Sequence, residues 1–79
     1  MNENMEDRVR KIIADVLGMD LSEVGPDFSH RDTDRWDSLK HMEIVTAVEQ
    51  AFSVTLMVDE MTLMTSVKDI VNVLEEKNK

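Results

Sequence analysis

No cysteine occurs in the 79 residues, so neither a disulfide framework nor a Cys-based zinc or redox site is open to this chain. Long apolar runs are missing as well. Stretches such as Ile12-Ile13-Ala14 and Ile44-Val45 are far too short to span a bilayer. The opening Met1-Asn2-Glu3-Asn4 lacks the basic-then-apolar order of a signal peptide. Cations are scarce: 9 Lys and Arg stand against 17 Asp and Glu, for a formal net charge of −8. Such a surface repels phosphate backbones and anionic lipid, which argues against nucleic acid and membrane partners, and it is steered toward basic patches on other proteins. A cytoplasmic protein is expected.

What is present is 42% apolar residues in a chain long enough for one core. A domain of this size buries only about 60% of its unfolded surface, so helix packing has to supply nearly all the stability and a deep enzyme cleft is not expected. Residues 1–79 are read as a single domain and a monomer, with no repeat, linker or low-complexity tract.

Val9, Ile12, Ile13, Val16 and Leu17 recur at the spacing of one helical face, with Glu6 and Asp7 in the first turn, and predict a helix over roughly 5–17. Gly18 follows as a left-handed terminator. A loop then runs to Trp36 through Gly25 and Pro26, with a short turn at Ser22 to Val24 and with Leu21, Val24 and Phe28 as the apolar anchors that keep it ordered. Ser38 to Phe52 contains neither Gly nor Pro and sets Ile44, Val45, Val48 and Phe52 on one stripe, with Asp37 at the N-cap. Ser53 to Val58 is a connector to a brief helix near Asp59 to Leu63. The last helix is marked by Val67, Ile70, Val71 and Leu74, opened by Thr65 or Ser66 and closed by the polar tail Glu75 to Lys79. The predicted fold is an all-α four-helix bundle of three main helices and one short one, with its core on these helical stripes. Seven methionines suit either an adaptable interior that admits a chain or ordinary gap filling.

At 100° per residue Leu39, Met42 and Thr46 point away from the core stripe of the second long helix. Two sizeable apolar side chains on an outward face, next to the helix's first serine, suggest a partner-docking surface. Ser38 sits where unpaired amides and the helix dipole favour an attached anion such as a phosphate ester. Three competing readings attach to the same residues. Ser38 is a simple cap in the first. In the second, Asp37, Ser38 and His41 form a hydrolase set, opposed by the core-side position of His41 and the missing strand-to-helix elbow. In the third, Asp32, Asp34 and Glu43 fill the first, third and twelfth positions of a calcium loop, whose fifth and sixth positions fail at Trp36 and Asp37. His30 has no companion at ligand spacing.

Asp37-Ser38-Leu39 at the mouth of a helix, in an acidic domain of this length and helix order, resembles the acyl carrier protein family. The likeness runs from about Met5 to Glu76: Arg8-Val9-Arg10-Lys11-Ile12-Ile13 and Leu17-Gly18 are similar to the family's first helix. Met42-Glu43-Ile44-Val45 and Val48-Glu49-Gln50-Ala51-Phe52 are similar to its second, and Thr65-Ser66-Val67 with Asp69-Ile70 to the opening of its last. The resemblance implies an acyl-carrier-like bundle that is not an enzyme. Ser38 would carry 4′-phosphopantetheine, installed from coenzyme A by a phosphopantetheinyl transferase, and the arm's thiol would hold acyl groups as thioesters. Asp37 would help the transferase recognise its target. Leu39, Met42 and Glu43 would face acyl-loading and acyl-processing enzymes bearing basic docking patches, and Trp36, by its own position beside the attachment point, is read as a further partner contact.

Three departures stand out. Arg35 and Trp36 precede Asp-Ser-Leu where many fatty-acid carriers have a glycine and a small residue, and Lys40 and Gln50 dilute a helix that is richly acidic in those relatives. Spacing around Phe28 is shifted too. A specialised acyl pathway is therefore implied beside fatty-acid and polyketide synthesis, and Trp36 is either a packed loop anchor or a shield for the arm. The alternative from another class is a non-covalent helical adaptor that docks a partner through Leu39 and Met42.

Overall fold

The computed structural model describes residues 4–78, so Met1 to Glu3 and Lys79 lie outside it. Four helices follow one another: α1 (Met5–Leu17), α2 (Ser38–Phe52), α3 (Val58–Leu63) and α4 (Val67–Lys77), with 3₁₀ turns at Leu21–Glu23 and His30–Asp32 in the long loop. Among the described residues there is no strand, only an isolated antiparallel bridge between Ser29 and Ser66. The all-α bundle of three main helices and one short one is as expected.

Each long helix begins where its cap dictates. Asn4 Oδ1 accepts from the Asp7 amide at 2.8 Å, Asp37 Oδ1 from Lys40 at 2.9 Å, and Ser66 Oγ from Asp69 at 3.0 Å, each satisfying an otherwise orphaned donor. Gly18 ends α1 in the left-handed region, at φ 68° and ψ 37°. Ser53 ends α2 in the same region, at φ 55°, without a glycine's freedom.

Two arginines set α1 antiparallel to α2. At one end Arg8 donates to the Ala51 carbonyl at 2.8 Å and lies 4.2 Å over the Phe52 ring; at the other Arg35 donates to the carbonyls of Leu17 and Gly18 at 3.3 and 2.8 Å. Both cations sit on helix C-terminal carbonyls, where the dipole favours positive charge. α4 packs on α1 and on α3. It also holds the loop, because the Val67 amide donates to Phe28 O at 2.9 Å and the His30 amide to Thr65 O at 3.0 Å.

The core agrees with the helical stripes in part. Val9, Ile13, Ile44, Val45, Val48, Val67, Ile70 and Leu74 are buried, while Ile12, Val16, Phe52 and Val71 are only half-buried against them. The difference is filled from outside the stripes, by Val24, Phe28 and Trp36 from the loop, Leu56 and Met64 from the connectors, and Val73 on α4. Leu21 corrects an expectation: it is 37% exposed, because the 3₁₀ turn aims it outward and leaves Val24 as the loop's fully buried anchor. The polar tail does not close α4 at Leu74. The helix runs on to Lys77, whose ammonium reaches Glu60 on α3 at 2.8 Å. Nor is the interior rich in methionine, since among the described residues only Met64 is fully buried.

Candidate functional site

Ser38 is the first residue of α2 and is exposed. The cap is Asp37, so the serine hydroxyl is released from that duty and makes no hydrogen bond among the described residues. The Ser38 and Leu39 amides likewise have no acceptor there. An exposed, uncommitted hydroxyl thus stands beside two free donors at the positive end of a 15-residue helix.

The serine opens on a groove of about 560 Å³. Its walls come from three directions: His30 and Trp36 from the loop, Asp37, Ser38, His41 and Met42 at the start of α2, and Thr62 and Thr65 at the end of α3 and just past it. Trp36 is 8% exposed and stacks on Phe28 and on His41, with centroids 6.3 and 6.2 Å apart, while His30 meets it edge-on at 6.5 Å. Of the two roles expected for Trp36, packing is the one observed. Though buried, it contributes to the groove wall beside Ser38.

His41 is half-buried and fully occupied. Its Nδ1 accepts from the Trp36 indole N–H at 3.0 Å, which obliges the ring proton onto Nε2, and Nε2 donates to Met61 O at 2.8 Å. No nitrogen is left to activate Ser38, so the serine and histidine do not form a nucleophile and base pair. The calcium loop fares no better: among the described residues no three His, Asp or Glu side chains come together as metal ligands. Asp32 is instead spent on capping, its carboxylate accepting from the Ser29 amide at 2.9 Å.

Leu39 and Met42 are 70% and 49% exposed, as the helical wheel requires. With Glu43, Thr46, Ala47 and Gln50 of α2 and Val16 of α1 they line a second depression of about 410 Å³. Glu43 pairs with Lys40 at 3.6 Å, so the lysine partly neutralises the acid on that face. Arg35, unusual next to the serine motif, is explained by the end of α1 that it caps. No helix among the described residues is long and apolar enough to cross a membrane.

Residues 7–74 match the family model described as a phosphopantetheine attachment site. The chain is 32% identical to the acyl carrier protein of Solidesulfovibrio magneticus over 74 residues, covering 94% of this chain and 95% of that one. It is 35% identical to the acyl carrier protein of Rickettsia bellii over 74 residues, 94% of this chain and 91% of the relative. The prosthetic group that goes with the match is covalently held 4′-phosphopantetheine. The site fits such a group, since a free hydroxyl, two unpaired amides and a roomy groove meet at one helix end. By its matched length, its fold and these relatives, the chain belongs to the acyl carrier protein family.

Proposed function

We propose that Ser38 bears the 4′-phosphopantetheine arm and that the protein holds acyl intermediates on it as thioesters. The observation that carries this reading is the exposed Ser38 hydroxyl, free of hydrogen bonds among the described residues, at the dipole-positive end of α2. A phosphodiester there keeps its charge beside the free amides, a placement worth about 0.3–1 kcal/mol at an exposed helix end. The thioester activates the acyl group toward nucleophiles and toward loss of an α-proton, while the protein contributes position and no chemistry of its own.

Asp37 is both cap and acidic neighbour of the attachment point, and it supports recognition by a phosphopantetheinyl transferase. Leu39, Met42 and Glu43 border the depression on α2 and form the face for acyl-loading and acyl-processing enzymes. Basic patches on those enzymes answer the net charge of −8. Fatty-acid, polyketide or related specialised acyl synthesis is the setting, and tethering raises the local concentration of cargo at each docked enzyme. Loading with coenzyme A, magnesium and a transferase, followed by digestion and fragmentation, tests the site. The added group is expected on the peptide residue Ser38, and its recovery on any other hydroxyl overturns the assignment.

A further inference from the structure

His41 is where three parts of the groove meet. The Trp36 indole N–H donates to its Nδ1 at 3.0 Å and its Nε2 donates to the Met61 carbonyl at 2.8 Å, so the loop, α2 and α3 are joined through one half-buried imidazole. Both bonds together require the neutral ring with its proton on Nε2, because an imidazolium has a donor on each nitrogen. A proton added to Nδ1 sets N–H against N–H at the Trp36 contact, while the bond to Met61 survives. Only one side of the tie breaks. Trp36 then keeps its stacking on Phe28 but loses its acceptor, in an 8% exposed position where an unpaired donor is costly.

We propose that His41 is a proton-operated clasp on the groove beside Ser38: neutral, it holds Trp36 as the wall between the loop and α2; protonated, it turns the indole away and opens that wall. Imidazole is the side chain whose charge changes nearest neutral pH, so the clasp answers to mild acid. From the loop, His30 shares the groove and meets Trp36 edge-on; from α2, Asp37 lines the same groove and Lys40 is paired with Glu43 at 3.6 Å. α3 and the segment beyond it line the groove with the neutral Thr62 and Thr65, the carboxylates of Glu60 and Asp69 being held by Lys77 and by the Thr65 hydroxyl. Among the described residues, His41 is the titrating side chain whose hydrogen bond closes the wall. The device needs no group on Ser38.

One tryptophan and two histidines in the chain make each signal assignable. Unloaded wild type, His41→Gln and His30→Gln are followed by NMR from about pH 8 to about pH 5. In wild type the Trp36 indole N–H should move upfield in step with the His41 ring signals, and cross-peaks between the two rings should weaken. His41→Gln keeps an amide oxygen for the indole and an amide N–H for Met61 but takes up no proton, so its indole signal should stay flat; His30→Gln should follow wild type. An indole signal that is flat in wild type or in His30→Gln, or that still titrates in His41→Gln, overturns the clasp. Should His41→Gln fail to fold, the ring nitrogen shifts of wild type decide. An Nδ1 bare at the alkaline end that gains its proton together with the indole shift supports the clasp, and a proton already on Nδ1 there overturns it. Either way the assignment of the arm to Ser38 stands on its own test.

Discussion

The Trp36 indole N–H points at His41 Nδ1 from 3.0 Å, and the same imidazole donates its single N–H, on Nε2, to the Met61 carbonyl at 2.8 Å. One side chain therefore ties the loop, α2 and α3 together directly beside Ser38. The groove next to the serine has its floor because this contact holds Trp36 down between Phe28 and His41.

Trp36→Phe keeps most of the packing but strips Nδ1 of its donor, and it is expected to cost about 1–2 kcal/mol. Trp36→Ala also opens a cavity and should cost about 3–5 kcal/mol. Urea unfolding measures both. A loss below about 1 kcal/mol for the alanine variant contradicts the role of Trp36 as anchor.

Asp37 and Ser38 separate in their effects on stability. Asp37→Ala removes the hydrogen bond to the Lys40 amide and should cost about 1 kcal/mol. Ser38→Ala removes no hydrogen bond found among the described residues and should stay within about 0.5 kcal/mol of wild type. Equal destabilisation by the two would mean that the serine shares the capping.

The start and end of α2 were legible because Asp37, an uninterrupted helical run and the apolar stripe all agree on them. The outward positions of Leu39 and Met42 followed from the same stripe. Val24 and Phe28 were legible as the loop's apolar anchors and Trp36 as one of two readings, whereas Leu56 and Met64 in the connectors owe their burial to contacts made only after the helices pack. The partners of Arg35 were hidden for the same reason: its guanidinium binds carbonyls 17 and 18 residues away. His30 carries no signal in its spacing, and it joins the site only because its backbone is bonded to Thr65 across the chain.

Leu39→Glu and Met42→Glu should leave stability within about 0.5 kcal/mol, because both side chains are already exposed. They should instead weaken transferase docking, read as a raised KM for the carrier with little change in kcat. Unfolding of either variant contradicts the placement of that side chain on the docking face.

Ser53 occupies the left-handed region at φ 55°. Ser53→Gly relieves that conformation and should stabilise the fold by about 0.5–1 kcal/mol in urea or thermal unfolding. A destabilised variant would show that the serine side chain compensates for the strain.

Acid should loosen the tie between α3 and α4. The hydrogen bond from Lys77 holds the Glu60 carboxyl below its ordinary value, helped by the Met57 amide. Because the folded value is the lower one, this contribution is fully present above the unfolded pKa of about 4.3 and is lost as pH falls through the folded value. Lys68 shifts the other way, raised by its hydrogen bond to Asp27, so its contribution disappears only in strong alkali. Lys77→Met should flatten the acid limb of stability against pH, and an unchanged limb contradicts the tie.

The central claim is that Ser38 carries the arm, and intact mass tests it most directly. Wild type and Ser38→Ala are incubated with coenzyme A, magnesium and a broad-specificity phosphopantetheinyl transferase. A gain of one phosphopantetheine on wild type and none on the folded alanine variant is the predicted result. A gain on both, or on neither after several transferases, contradicts it.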